Sequence, residues 1–303
     1  MDRFHVTIGG MHALQMAMRM VAGVGDEIVI PTPAWPNFYG AAVVSGATPV
    51  DVPMSLHPRG NEQIWALDFD RMKAAVTPKT KAIIINSPAN PTGWTATRAE
   101  LQQVLDLARA KGLWIIADEI YGRFVYDGSS RAPSFHDIMD EQDKIMFVQT
   151  LSKNWAMTGW RIGWLECPSW MSETVENLVQ YSSSGVAAFM QRAAIAALEQ
   201  GESFVEHQLV RARTGRDIVT RGLGQLEHVH FGAVDGAFYL FFRVDGVTDT
   251  RQLALDLVDR ANVGLAPGTA FGTGAQDYMR MCFARKAEDL EEATRRLVKA
   301  LAR

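Results

Sequence analysis

The sequence predicts an α/β fold, with a mostly parallel sheet covered by helices on both faces and a smaller C-terminal α+β domain. Four short runs predict strands of the sheet: EIVIP (27–31), KAIIIN (81–86), LWIIAD (113–118) and KIMFVQT (144–150). They are apolar at both odd and even positions, which is typical of strands buried on two faces. Helical patterns lie between them, and alternation of strand and helix indicates a parallel sheet.

The clearest helix is predicted over 97–111. Thr97 and Glu100 have the spacing of a capping box, in which each residue satisfies a free backbone N–H of the first turn. An apolar stripe at helical spacing follows, and Gly112 is a typical residue for ending a helix. The segment therefore predicts a helix that packs one face on the sheet.

The C-terminal third has a different pattern. A long polar helix is predicted from 202 to about 226, then a strand AFYLFFRV (237–244), a helix over 250–262 and an apolar run MRMCFA (279–284). A final helix is acidic at its start and basic at its end, which suits the helix dipole. We therefore predict a large domain over 1–207 and a small domain over 208–303.

Composition excludes several classes of protein. The 303 residues are 48% hydrophobic and 21% charged with a net charge of −4, which gives no support to nucleic-acid binding. Cys167 and Cys282 lie far apart, without metal-ligand spacing, and both are predicted to be small buried side chains. The first residues contain no apolar signal segment, and no run approaches the length of a membrane span. The sequence therefore predicts a cytoplasmic protein without a metal site.

Polar residues stand where three of the apolar runs end. NSPANPTG (86–93), ADEIY (117–121) and TLSK (150–153) lie there, at the strand ends where such sheets bind ligands. Singly, each has an ordinary interpretation: a plain loop, a helix cap with a solvent-facing acid, and a surface lysine. A buried Lys153 would instead be a Schiff-base nucleophile. Arg161, inside GWRIGW (159–164), would need an anion.

Together these segments resemble the class I/II aminotransferases, the aspartate-aminotransferase-like enzymes of pyridoxal-phosphate fold type I. The resemblance extends in register to VTIGGMHAL (6–14), PAWPN (33–37), PGTAFG (267–272) and MRM (279–281). It implies a large domain of that fold and a cytoplasmic homodimer that takes part in amino-acid metabolism. It also implies pyridoxal 5'-phosphate as the cofactor and exchange of an amino group between an amino acid and a 2-oxo acid.

The resemblance implies three catalytic residues. Lys153 would hold the cofactor as an internal aldimine and later move the proton at the substrate α-carbon. Asp118 would pair with the pyridine nitrogen and keep it protonated, so that the ring withdraws electrons. Tyr121 would hydrogen-bond the phenolic oxygen of the cofactor together with Asn90.

The remaining roles concern binding. The backbone N–H groups of Gly9, Gly10 and Met11 at a helix N-terminus would face the cofactor phosphate, with Thr150 and Arg161 completing its binding site. Trp35 would stack on the cofactor ring. Arg280 would bind the substrate α-carboxylate, and Asn90 would also contact the substrate.

Two departures from the family pattern bear on function. Some aspartate-specific relatives carry a lysine at the place of Met11, so a neutral or aromatic amino acid is favoured here. Family members also have a sizeable segment before the Gly9-Gly10 motif, whereas residues 1–5 alone precede Val6. The resemblance thus implies a chain without the usual N-terminal segment.

Two alternatives to an aminotransferase remain open. One is a C–S lyase of the same fold, and the other is a non-catalytic relative, either truncated or the sensing module of a regulator.

Overall fold

The computed structural model describes residues 2–302, whose elements are numbered in chain order. The strands are β1 (Phe4–Thr7), β2 (Glu27–Thr32), β3 (Thr48–Pro53), β4 (Ser55–Arg59), β5 (Glu62–Ala66), β6 (Thr80–Asn86), β7 (Trp114–Asp118), β8 (Ile145–Thr150), β9 (Gly163–Glu166), β10 (Val229–Phe231), β11 (Tyr239–Val244), β12 (Ala266–Pro267) and β13 (Tyr278–Cys282). The helices are α1 (Gly9–Val21), α2 (Pro36–Val44), α3 (Phe69–Ala75), α4 (Arg98–Lys111), α5 (Leu151–Asn154), α6 (Ser172–Ser182), α7 (Ala188–Gln200), α8 (Glu202–Leu223), α9 (Thr250–Ala261) and α10 (Ala287–Leu301).

The larger sheet confirms the predicted architecture. Its strand order is β1-β9-β8-β7-β6-β2-β3. Neighbouring strands are parallel except at β9, which runs antiparallel to both β1 and β8. The four predicted strands are β2, β6, β7 and β8, each within one residue of its predicted bounds. Strands of this sheet end side by side at one carboxyl edge.

Both faces of this sheet are buried, as the apolar runs predict. Along β2, Ile28 and Ile30 belong to the core that includes α1, whereas Val29 between them belongs to the core that includes α4. Successive side chains of a strand point to opposite faces, so one apolar run fills two cores. Two-sided burial is therefore the physical reason for the continuous apolar runs.

The predicted helix over 97–111 is α4. Thr97 is its N-cap, and both hydrogen bonds of the capping box with Glu100 are formed. Gly112 ends the helix in the left-handed conformation with a φ of 68°, which a glycine adopts without steric strain. The local signals and the hydrophobic stripe agree, so the bounds predicted from the sequence are close to the observed ones.

A smaller antiparallel sheet of order β10-β11-β13-β12 follows, with α8 and α10 packed against each other. Helix α8 begins at the predicted residue and ends three residues earlier than predicted, before Gly224. The predicted domain division between residues 207 and 208 falls inside α8, and it stays a prediction. Cys167 is buried, but Cys282 at the end of β13 is exposed, so the prediction of burial was wrong for Cys282.

The hairpin of β4 and β5 was not predicted. It connects the two sheets: Arg59 binds Asp235 through two hydrogen bonds of 2.9 and 2.8 Å, and the backbone N–H of Ala233 donates to Gln63. Trp65 of the hairpin packs against Tyr278 of the smaller sheet at 5.4 Å between ring centres. Within residues 2–302, no helix has the length and apolar character needed to cross a membrane.

Candidate active site

The candidate site lies at the carboxyl edge of the larger sheet, where three neighbouring strands end in polar residues. Asn86 ends β6, Asp118 ends β7 and Thr150 ends β8, and Asn86 pairs with Asp118 across the sheet. The side-chain amide of Asn86 donates to the backbone oxygen of Asp118 and accepts from the N–H of Asn90. The structure thus joins the loop over 86–93 to the acidic segment, although the two are more than twenty residues apart in the chain.

Asp118 is a buried carboxyl group with few partners. It is 2% exposed, and its Oδ1 accepts a 3.3 Å hydrogen bond from the backbone N–H of Ile120. Burial raises its pKa from 3.8 to about 7, while the Ile120 N–H and the charge of Lys153 act in the opposite direction. Glu119 has different surroundings, since it accepts from the Ser134 hydroxyl and the Phe135 N–H. Of the predicted acidic pair, Asp118 is thus the member close to Lys153.

Lys153 lies in α5, the single turn that follows β8. The Thr150 side chain begins this turn by accepting from the backbone N–H of Ser152 at 3.2 Å. The amine Nζ lies 5.7 Å from the centre of the Tyr121 ring. Burial lowers the pKa of Lys153 below its usual 10.5, and the charge of Asp118 opposes that shift. A cavity of about 250 Å³ opens beside the lysine, so the amine is largely buried and still reachable.

Arg280 belongs to a group of residues in contact with one another. The other members are Asn90, Tyr121, Tyr239 and Phe271. Nη1 of Arg280 donates to Asn90 Oδ1 at 2.9 Å, and its guanidinium carbon lies 4.5 Å from the Tyr239 ring centre and 5.1 Å from that of Phe271. The hydroxyl oxygens of Tyr121 and Tyr239 are 3.0 Å apart. Buried Nε of Arg280 has no hydrogen-bond partner among the described residues. Sequence reasoning missed Tyr239, although a tyrosine inside an apolar strand was a signal, because its buried hydroxyl needs a partner.

A candidate site for an anion lies where α1 begins. The first turn of this helix has no acidic residue and no side-chain cap, so its backbone N–H groups are available to an anion. Gly9 has a φ of 71°, and a Cβ built on it would lie 2.6 Å from Nη2 of Arg161. A Cβ on Gly10 would lie 3.4 Å from the Thr150 Cβ. The two glycines thus let Arg161 and Thr150 approach the helix N-terminus closely.

Gly9→Ala should weaken the binding of phosphate-bearing ligands about tenfold or more. A Cβ would displace Arg161, and one charge-assisted hydrogen bond contributes about 1.5–3 kcal/mol. The positive φ adds strain for alanine. Titration of the protein with pyridoxal 5'-phosphate, followed by absorbance, measures the loss. Gly159→Ala is the matched control, because a Cβ there meets no atom within 4 Å. Equal affinities for the Gly9→Ala and wild-type proteins would contradict an anion-binding role for Gly9, Gly10, Thr150 and Arg161, the group called the cradle below.

Trp35 and Met11 are two further residues that the sequence predicted to bind the cofactor. Trp35 is the half-buried residue that precedes α2, and its ring meets Phe38 edge-on at 5.6 Å between centres. Met11, in the first turn of α1, has its Sδ 3.3 Å from the side-chain amide of Asn37. Neither Met11 nor Asn37 carries a charge. This pair therefore offers no charge to a ligand.

The site would stabilise one positive and one negative group of a ligand, and pyridoxal 5'-phosphate carries both. Asp118 is a buried carboxylate that would be stabilised by a cation such as a protonated ring nitrogen. The N-terminus of α1 and Arg161 would be stabilised by an anion such as a phosphate. Lys153, whose pKa is lowered by burial, lies beside Asp118 in space.

Fold and site together define a class, the enzymes that work with pyridoxal 5'-phosphate. The chain belongs to the aminotransferase class I and II family, whose sequence profile matches residues 2–297. It is therefore an aminotransferase-family enzyme that uses pyridoxal 5'-phosphate, as the sequence predicted.

Individual relatives agree with this assignment. The chain is 34% identical over 300 residues to an aspartate aminotransferase of Pyrococcus abyssi, covering 98% of this chain and 75% of the relative. It is 32% identical over 299 residues to aromatic-amino-acid aminotransferase 2 of Thermococcus litoralis, with the same coverage of both chains. The crystal structure of an aromatic aminotransferase from Pyrococcus horikoshii superposes with a TM-score of 0.91 at 33% identity, over 99% of this chain and 79% of that one.

Proposed function

We propose that this enzyme exchanges an amino group between an amino acid and a 2-oxo acid, with Lys153 as the residue that binds pyridoxal 5'-phosphate covalently. The observation that carries this proposal is the half-buried Lys153 amine beside the buried carboxyl group of Asp118. Desolvation lowers the pKa of an amine and so favours its neutral form, which is the nucleophile in Schiff-base formation.

The proton transfers fall to Lys153. When bound, pyridoxal 5'-phosphate supplies a ring that accepts the electron pair of the broken bond between carbon and hydrogen. Lys153 Nζ, as a neutral amine, would take the proton from the substrate α-carbon and later return it. Asp118 would hold a proton on the ring nitrogen by its negative charge. Burial of Asp118 strengthens its interaction with a nearby positive charge.

Other residues would orient the cofactor. Tyr121 and Asn90 would bind its phenolic oxygen, and Trp35 would cover its ring. For the phosphate we propose Arg161 and the Thr150 hydroxyl, together with the backbone N–H groups of Gly10 and Met11. Both glycines of the cradle support this role, because they bring Arg161 and Thr150 close to the start of α1.

Arg280 would bind the α-carboxylate of the substrate, with Asn90 holding it in place. Its contacts support the role: it makes one hydrogen bond to Asn90 and has a buried Nε without a described partner. A guanidinium offers two parallel N–H groups to a carboxylate. Uncharged Met11 favours neutral or aromatic amino acids over aspartate as donors.

Arg280→Ala should weaken the binding of amino acids at least about tenfold, because a charge-assisted hydrogen bond contributes about 1.5–3 kcal/mol. The absorbance of the bound cofactor should stay as in the wild type. Stopped-flow titration of the amino-acid half-reaction measures the effect, and Arg251→Ala serves as a control at an exposed arginine of α9. If amines without a carboxylate lose as much affinity as amino acids do, the assignment of Arg280 is wrong.

A substrate panel tests the function as a whole. The protein is incubated with single amino acids and either 2-oxoglutarate or pyruvate, and the products are identified. Transfer of the amino group requires both substrates and yields a new amino acid and a new 2-oxo acid. Release of ammonia and a thiol without any acceptor would instead identify a C–S lyase. If no pair of amino acid and 2-oxo acid yields a product, the protein is a non-catalytic relative.

The same proposal includes a homodimer. An apolar groove of about 420 Å³ supports it, lined among others by Phe4, Trp164, Ile195 and Leu198. Apolar surfaces of this kind mark places where further protein packs. Light scattering of the purified enzyme over a range of concentrations tests this part. The cytoplasmic location stays a prediction.

A further inference from the structure

Tyr239 lies between two residues to which we assign roles in the reaction. Its hydroxyl oxygen is 3.0 Å from that of Tyr121, and its ring centre is 4.5 Å from the guanidinium carbon of Arg280. We propose that Tyr239 is a positioning residue for the aminotransferase reaction, holding the Tyr121 hydroxyl with its own hydroxyl and the Arg280 guanidinium with its ring. This inference rests on the function proposed above.

The hydroxyl contact has one arrangement that suits catalysis. A tyrosine hydroxyl donates one hydrogen and accepts others, so two adjacent hydroxyls share a single hydrogen bond. If Tyr121 directs its hydrogen to the phenolic oxygen of the cofactor, Tyr239 must donate to the Tyr121 oxygen. Such donation polarises the Tyr121 O–H group and strengthens the bond that it makes. Both residues are buried, with Tyr239 7% and Tyr121 2% exposed, so water does not replace this contact.

The ring contact orients Arg280. Tyr239 pairs with Cys282 across the smaller sheet, and Arg280 is two residues before Cys282, on the same face. The guanidinium lies between the rings of Tyr239 and Phe271, with its carbon 4.5 and 5.1 Å from their centres. Aromatic faces attract cations, so the two rings leave the edge of the guanidinium free for a carboxylate. Tyr239 thus contacts both Tyr121, proposed to bind the cofactor, and Arg280, proposed to bind the substrate.

Two substitutions separate the contacts. Tyr239→Phe removes the hydroxyl and keeps the ring, so Tyr121 becomes a weaker donor to the phenolic oxygen. The pH at which the absorbance of the bound cofactor changes should rise by roughly 0.2–0.7 units, because cooperative strengthening is a fraction of one bond. KM for amino acids should stay within about twofold. Tyr239→Leu removes the ring as well and should raise KM by about two- to fivefold.

A matched control and a double-variant cycle exclude a merely structural effect. Tyr278→Phe changes a tyrosine of the same sheet whose ring stacks on Phe241 at 4.8 Å between centres, and it should leave the absorbance titration unchanged. In a Tyr121→Phe background, Tyr239→Phe should add no further shift, since its effect passes through the Tyr121 hydroxyl. Thermal unfolding of each protein shows that it is folded. If Tyr239→Leu does not fold, Tyr239→Phe and the cycle carry the test.

The outcomes are distinguishable. A wild-type protein that binds no cofactor and transfers no amino group overturns the proposed function, and the role of Tyr239 with it. Normal wild-type behaviour with an unchanged absorbance titration in Tyr239→Phe overturns the role of Tyr239 alone. A shift of equal size in the Tyr121→Phe background does the same, because it would reach the cofactor by another route.

Discussion

Lys153→Ala is expected to lower the turnover number for amino-group transfer by about 10²–10⁴-fold or more. A general acid or base typically contributes a factor in this range. Alanine can neither bind the cofactor covalently nor move the proton at the substrate α-carbon. Pyridoxal 5'-phosphate should still bind, since the cradle around Gly9, Thr150 and Arg161 is unchanged. Steady-state rates with saturating substrates measure the loss.

Chemical labelling locates the reactive lysine independently of activity. Borohydride reduction of the loaded wild-type protein, followed by peptide mapping, should place the pyridoxyl group on Lys153. Lys144→Ala is the matched control: Lys144 precedes the same strand, is exposed and donates to the backbone oxygen of Gly112. A label on another lysine, or a Lys153→Ala enzyme with normal turnover, would refute the assignment.

The sequence predicted those parts of the fold whose signals are local and strong. The four apolar runs gave β2, β6, β7 and β8 within one residue, because burial on both faces leaves no place for polar side chains. Helix α4 was predicted at both ends, since its capping box and its terminal glycine act within one turn of the chain. Carboxyl ends of parallel strands meet at one edge, so the segments that contain Asn90, Asp118 and Lys153 were expected to come together.

Other features depend on contacts that no local pattern reveals. The hairpin of β4 and β5 is positioned by Arg59 and Asp235, which are 176 residues apart in the chain. Cys282 stands in an apolar run, yet it has the same strand parity as Arg280 and shares its partly open face. Tyr239 was predicted as part of a strand, but its contact with Tyr121 joins the two sheets. Contacts between residues of different sheets follow from tertiary packing, so no local pattern in a single sequence predicts them.

Asp118→Asn is expected to lower turnover by roughly 10²–10³-fold, the range for removing one preorganised electrostatic group from an active site. Asparagine has nearly the shape of aspartate but no charge, so it cannot keep the ring nitrogen of the cofactor protonated. Glu119→Gln is the matched control, because this neighbouring, half-buried acid accepts from Ser134 and Phe135 instead. Single-turnover rates of α-proton exchange isolate the step. Equal losses in both variants would show that Asp118 acts through stability and not through charge.

Although Asp118→Asn lowers turnover, it should raise the free energy of unfolding of the cofactor-free protein at neutral pH and above. Burial raises the pKa of Asp118 from 3.8 to about 7 in the folded state. Between these values the unfolded chain releases a proton that the folded chain retains, so the free energy of unfolding falls as the pH rises. Above pH 7 the full penalty, on the order of 4 kcal/mol, is present. Asp118→Asn removes the carboxyl group and hence the penalty.

We therefore expect the cofactor-free wild type and Asp118→Asn proteins to be about equally stable near pH 4. The variant should become progressively more stable than the wild type up to pH 8. Urea unfolding at a series of pH values measures the difference between the two curves, in which the titration of groups that do not interact with Asp118 cancels. Adding pyridoxal 5'-phosphate at pH 8 should stabilise the wild type more than the variant, because a protonated ring nitrogen beside Asp118 offsets the cost of its buried charge. A constant difference across this pH range would contradict the raised pKa. A larger gain from the cofactor in Asp118→Asn would contradict the pairing of Asp118 with the ring nitrogen.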